Sequence, residues 1–295
     1  MDALYKCLES ASKHGYEKEY FWISGVFLVI VGLLGVIGNT LSLIVLSQRL
    51  FRKNAFFNLL NVMACFDLLF ILSYGIKIGY QSMACRENYN AELGHITYIF
   101  MNLGLTGSIY STVVVSFERC LSICLPHLKL CNNRVSIYIF AIVFVTFTFN
   151  VPIFFEYHYS IGNGMLVSEK FSWADSDTYK TSYHLWAALV IGSLLPLLAL
   201  IFLNGAILTK LNLSRKDQTT KMNKNNEGRK RMTRILFGIV GMFMVCHTPC
   251  VVWKVLWHLG CIDCTATEDS EFKRKWFFIT PIKKLFLTIN SSFRT

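Results

Sequence analysis

Charge is what this sequence has least of. Asp, Glu, Lys and Arg make up 16% of its 295 residues, against about 25% in an ordinary soluble domain. That shortfall excludes a disordered chain and an ordinary cytosolic enzyme. Catalytic signatures are missing too: the sequence has no phosphate-binding loop, no nucleophile elbow and no paired-carboxylate site. Its seven histidines never fall into a zinc-protease spacing. Ten cysteines are too few for a disulfide scaffold, and several lie in apolar runs, where a thiol acts as a small hydrophobe. No cleavable leader is visible, because Asp2, Glu9, Glu17 and Glu19 interrupt the first 20 residues with no apolar block between them. There is no internal repeat and no second domain. The expectation is a non-enzyme without a cofactor.

What is present is apolar. Hydrophobic residues make up 54% of the chain, and mean hydropathy is +0.44. Six long apolar runs stand out: 21–47, 55–76, 94–117, 135–155, 183–209 and 235–253. Each has the ~20 residues a helix needs to cross about 30 Å of hydrocarbon. Barrel strands would be about 10 residues long and would alternate apolar with polar. These runs are continuous, so helices are predicted. The first reads as a signal anchor that stays in the membrane. A seventh, weaker segment covers 276–293 and contains Pro281, Lys283 and Lys284. Alone it would also suit an amphipathic helix on the membrane surface.

The formal charge of +11 is uneven. With the N-terminus outside, the inner loops 47–54, 118–134 and 210–234 hold 15 Lys and Arg and only three acids, Glu118, Asp217 and Glu227. The outer segments hold 11 Lys and Arg against 14 acids. An inner excess of Lys and Arg fixes orientation, and this distribution speaks for membrane rather than nucleic acid. The basic stretch from Arg229 to Arg234 suits anionic lipid or an acidic protein surface. Pro196 and Pro249 fall well inside the fifth and sixth runs, where each is expected to kink its helix.

Motifs narrow the class. Glu118-Arg119-Cys120 ends the third run, and Cys124-Leu125-Pro126 follows. Gly38-Asn39 lies in the first run and Met63-Ala64-x-x-Asp67 in the second. Pro196 and Asn204 lie in the fifth, and Phe243-x-x-Cys246-His247-x-Pro249 in the sixth. In this order and spacing they resemble the signatures of rhodopsin-like G-protein-coupled receptors. Thr106-Gly107-Ser108-Ile109-Tyr110, Asn150-Val151-Pro152-x-Phe154-Phe155-Glu156 and Asn290-Ser291-Ser292 look like the FMRFamide-receptor branch.

That resemblance implies an all-α membrane protein, a seven-transmembrane helix bundle with its N-terminus outside. The whole chain, 1–295, would be one receptor domain: a tail 1–20, a bundle 21–293 and a cytosolic third inner loop 210–234. It would sit in the plasma membrane, bind a short amidated neuropeptide outside and signal to a heterotrimeric G-protein inside. There are departures. Gly94 stands where the family usually has a disulfide cysteine, and 156–182 contains no cysteine. The fourth run lacks its usual Trp, and His247 replaces another. The family's seventh-helix N-P-x-x-Y falls on Arg294-Thr295, so the seventh helix is expected to be incomplete. A truncated, non-signalling remnant or decoy is therefore one rival, and a chemoreceptor of the same fold is another. A transporter would need repeats or broken helices, which are not seen.

The site residues follow from the resemblance. Glu118, Arg119, Pro126, Arg229 and Arg234 would serve G-protein coupling, with Arg119 restrained by Glu118 at rest. Pro196, Phe243, His247 and Pro249 would form the activation switch. Asn39, Asp67, Ser108, Asn290 and Ser291 would line a sodium or polar cluster. The register also brings Arg294 near Asp67, where pairing would displace sodium. Met101 stands where amine receptors carry Asp, which disfavours an amine ligand. Tyr98, Asn102, Trp186, Trp253 and Lys284 add aromatic and polar walls suited to a peptide terminus. Glu156 would hold a peptide arginine by charge-assisted hydrogen bonds. Four outer cysteines, Cys7, Cys85, Cys261 and Cys264, allow three complete pairings, which the sequence leaves open.

Overall fold

Long apolar runs must bury every backbone polar group in hydrogen bonds, and in lipid only helices do so within one segment. The computed structural model describes residues 27–49, 51, 54–83, 91–125, 134–162, 165–217, 233–248 and 286–292. It holds α1 (Leu28–Leu46), α2 (Ala55–Met83), α3 (Ala91–Cys124), α4 (Arg134–Phe154) and α5 (Leu195–Asp217). Each of the first four carries a span long and apolar enough to cross a membrane, and a fifth such span, Val190–Leu211, begins in the helical turn before α5. A shorter apolar helix, α6 (Thr233–Thr248), and a helical stretch, α7 (286–292), complete the described part of the bundle.

Polar side chains inside these helices bond back to the preceding turn. Asn102, Asn150 and Asn204 donate to the carbonyls of Tyr98, Thr146 and Leu200. Ser111 and Thr112 do the same to Gly107 and Ser108. Each of these side-chain donors is thus satisfied without water.

Packing is one-sided. On α1, Leu28, Val31, Gly35 and Asn39 are buried and share one stripe, while Leu33, Ile37, Leu41 and Ile44 are exposed. Phe140 and Phe144 stack on each other on the outer face of α4, at 69% and 58% exposure. Such faces would be unstable in water and are natural against lipid. The core lies among α2, α3, α5 and α6, around Met63, Ile109, Leu200 and Phe243. The α2–α3 contact is the most extensive. Gly104 makes it so close, because a Cβ there would stand 2.8 Å from the Cα of Phe70.

Two expectations need correction, and one element was not anticipated. Glu118 and Arg119 do not end the third helix; α3 runs on to Cys124. Both residues are good helix formers, so the end of an apolar run is not the end of the helix. Pro196 is not deep inside an α-helix. Helical turns run unbroken from Asp177 to Asp217, but Lys180–Ala187 and Val190–Leu194 are π-helical, and Pro196 is the second residue of α5. Finally, the segment after α4 contains a β-hairpin that the hydropathy did not announce. Its strands, β1 (Tyr157–Gly162) and β2 (Met165–Lys170), pair antiparallel from Tyr157↔Lys170 to Gly162↔Met165. Asn163-Gly164 separates them in sequence, a dipeptide suited to a tight hairpin.

Candidate functional site

Three polar clusters lie along the bundle. The middle one centres on Asp67 of α2, which is fully buried. Its Oδ1 accepts from Ser108 Oγ of α3 at 2.5 Å and from Ser291 Oγ of α7 at 2.6 Å. Asn39 Nδ2 of α1 donates to the carbonyls of Gly35 and Ser291, each at 2.9 Å. Ser292 Oγ donates to the carbonyl of Val31 at 3.0 Å. Gly35 permits this contact, since a Cβ there would collide with the Ser292 side chain. Asn290 is 1% exposed, and its Oδ1 accepts no hydrogen bond. Asn39, Asp67, Ser108 and Ser291 thus come from four helices into one hydrogen-bonded cluster, with Asn290 buried next to Ser291 in the chain. A carboxylate, hydroxyls and an unused amide oxygen are the donor set a small hard cation prefers. Arg294 lies outside the described residues. Among the described residues, no group of three His, Cys, Asp or Glu side chains stands together as a metal site.

The second cluster holds Arg119, which is 8% exposed on α3. Its Nε stands 3.0 Å from Glu118 Oε2, and Ser122 Oγ donates to Glu118 Oε1 at 2.9 Å. Its Nη2 donates to Asn54 Oδ1 at 3.2 Å. The guanidinium lies over the Phe56 ring, 4.1 Å from its centroid. A guanidinium keeps its charge, so it can be buried only if held in this way. The sequence reading named Glu118 but missed Asn54 and Phe56. A signal was available: Asn directly before an apolar run marks a helix N-cap, and Asn54 Oδ1 does accept from Phe56 N at 3.1 Å.

The third cluster lies where the hairpin meets the bundle. Glu156, just past α4, is 3% exposed, and its Oε1 accepts from Tyr179 Oη at 3.0 Å. Burial first, and the Glu156 hydrogen bond second, push the Tyr179 phenol above its ordinary range. It therefore stays a donor throughout physiological pH. Tyr179 stacks on Tyr183, whose hydroxyl donates to the carbonyl of Phe149 at 2.6 Å. Tyr98 of α3 lies under the Lys77 ammonium, 4.9 Å from the ring centroid. One turn away, His95 Nε2 is 2.9 Å from the carbonyl of Ile153, and its ring packs on Tyr157. Lys77, His95, Tyr179 and Tyr183 carried no sequence signal, because only the tertiary fold brings them to Tyr98, Ile153, Glu156 and Phe149 at this end of the bundle. Met101 and Asn102 are half-buried, and the Asn102 amide is spent on Tyr98. Trp186 is 49% exposed.

Between the clusters, the rings of Phe243 and His247 stack at 4.6 Å, both buried. Pro196 is buried and Arg234 exposed. Pro126, Arg229, Pro249, Trp253, Lys284, Cys7, Cys85, Cys261 and Cys264 lie outside the described residues. The described cysteines, Cys65, Cys120, Cys124 and Cys246, form no disulfide with one another.

Comparison with known proteins places this geometry. The family described as 7 transmembrane receptor (rhodopsin family) matches residues 38–291. The FMRFamide receptor of Drosophila melanogaster is 28% identical over 289 residues, covering 92% of this chain and 50% of that protein. An FMRFamide peptide receptor of Caenorhabditis elegans is 23% identical over 280 residues, covering 90% of this chain and 63% of its own length. The chain thus spans between half and two thirds of the length of these relatives.

Proposed function

Because the chain belongs to the rhodopsin family of seven-transmembrane receptors, in its FMRFamide-receptor branch, we propose that it binds a short amidated neuropeptide and passes that event to a heterotrimeric G-protein. It is a multi-pass membrane protein and a receptor, not an enzyme. Its place is the plasma membrane, with the N-terminus and the hairpin outside and Arg119 facing the cytosol. The Lys and Arg excess of 47–54, 118–134 and 210–234 supports that orientation. Residues 1–295 act as one receptor domain.

The observation that carries the ligand reading is Glu156. Its carboxylate lies at the hairpin end of the bundle, 3% exposed, and is oriented by the Tyr179 hydroxyl. A peptide arginine is a ligand group that its charge fits. Tyr98 and Asn102 stand on the neighbouring helix, and Met101 offers no carboxylate for an amine. Trp186, Trp253 and Lys284 belong to the same proposal. The Asp67 cluster would hold sodium, which supplies a fixed positive charge that favours the resting bundle. Phe243, His247, Pro249 and Pro196 would let the cytosolic end of α6 swing outward as Arg119, with Pro126, Arg229 and Arg234, meets the G-protein. A disulfide among Cys7, Cys85, Cys261 and Cys264 would brace the outer face.

The direct test is binding. Membranes carrying the chain should bind a radiolabelled peptide ending in Arg-Phe-amide. The amidated peptide should displace it more strongly than its free-acid form. Equal displacement by the two forms would end the amidated-peptide reading.

A further inference from the structure

We propose that Asn54 and Phe56 clamp Arg119 and keep it from its partner in the resting receptor, as a restraint separate from Glu118. The inference rests on reading Arg119 as the group that meets the G-protein. Three surfaces of one guanidinium are occupied. Glu118 holds the Nε edge at 3.0 Å, Asn54 holds Nη2 at 3.2 Å, and the Phe56 ring covers one face at 4.1 Å. Glu118 is the chain neighbour of Arg119 on α3 and moves with it. Asn54 and Phe56 belong to the start of α2, so they tie Arg119 to another helix.

The tie is difficult to release by side-chain rotation alone. The same Oδ1 that accepts from Arg119 also accepts from Phe56 N at 3.1 Å. Turning Asn54 away from Arg119 would therefore uncap α2 as well. The backbone of Asn54 is fixed in turn, since its N–H donates to Phe51 O at 3.0 Å and its carbonyl accepts from Phe57 N at 3.1 Å. Phe51 packs edge-on against Phe57 across the cap, with ring centroids 5.0 Å apart. Phe56 is fully buried in the core and cannot swing aside. Freeing Arg119 thus requires α3 to shift against the first turn of α2. Asn54 and Phe56 are positioning residues: they act on the G-protein only through Arg119.

Two substitutions separate the clamp from the cap. Ser caps a helix about as well as Asn, but its hydroxyl is too short to reach Arg119. Asp also caps, and it would meet the guanidinium with a full charge. The full chain, its Asn54→Ser form and its Asn54→Asp form would each be purified in detergent and treated with phenylglyoxal. Modification at Arg119 would be followed by peptide mass spectrometry. The clamp predicts the rate order Ser, then wild type, then Asp, with the Ser form faster by on the order of threefold to tenfold. Equal rates in all three forms would overturn it. Ligand-free nucleotide exchange on added heterotrimeric G-protein would be measured on the same samples and should follow the same order. If labelling follows the order while no form promotes exchange, the clamp stands and the G-protein reading of Arg119 falls. If exchange is promoted but labelling is unchanged, the clamp falls and that reading stands.

Discussion

Tyr110 donates its hydroxyl to the carbonyl of Ile191 at 2.9 Å, from α3 to the π-helical turn that precedes α5. Leu195 N already bonds to Val190 O, five residues back. The next bond in that pattern would run from residue 196 to Ile191 O, and residue 196 is a proline without an N–H. Tyr110 supplies the donor that Pro196 lacks. The proline is therefore accommodated by a neighbouring helix, as expected where water is absent.

Tyr110→Phe removes only that donor. It should lower the melting temperature of the purified protein, reflecting a loss of about 1 kcal/mol. Peptide affinity should be unaffected. An unchanged melting temperature would mean that the Ile191 carbonyl has another partner.

Asp67 joins α2, α3 and α7 through Ser108 and Ser291. If the cluster holds sodium at rest, replacing an organic cation by sodium should weaken peptide binding, roughly fivefold or more. Asp67→Asn should abolish that difference and should lower the melting temperature in sodium buffer. A wild-type protein indifferent to sodium would point instead to Arg294 as the partner of Asp67.

Glu156→Lys should reduce peptide potency at least about tenfold, because it reverses a buried charge against a cationic ligand. Lys284→Ala should have a smaller effect. Tyr179→Phe, which leaves the carboxylate but removes its donor, should fall between them. The opposite ranking of Glu156 and Lys284 would mean an acidic or neutral ligand. Dose–response curves for one peptide on the three variants decide the matter.

Much of the middle of the bundle was legible in the sequence. Asn39, Asp67 and Ser108 are polar residues placed within apolar runs, and each stands at a fixed distance from a motif. Helix periodicity then carries them to a common level. The clamp on Arg119 was half legible. Glu118 is its neighbour, whereas Asn54 is 65 positions away and reaches it only because α2 packs along α3. Hydropathy did not show the hairpin, although Asn163-Gly164 carried a turn signal, and the Tyr179–Glu156 bond was not legible. They lie in a polar connection where hydropathy has no period to offer, and their partners are set by packing. Pro196 misled for a different reason. Hydropathy reports that a segment is apolar, but not that its turns are π-helical rather than α-helical.

The most direct measurement is peptide-evoked nucleotide exchange. Membranes carrying the chain would be mixed with purified heterotrimeric G-protein and peptides ending in Arg-Phe-amide, with the free acids alongside. The account predicts that the amidated peptides raise the exchange rate, that the free acids do so far less, and that Arg119→Ala removes the response while peptide binding persists. Peptide binding without any rise in exchange would contradict the account and favour a non-signalling receptor.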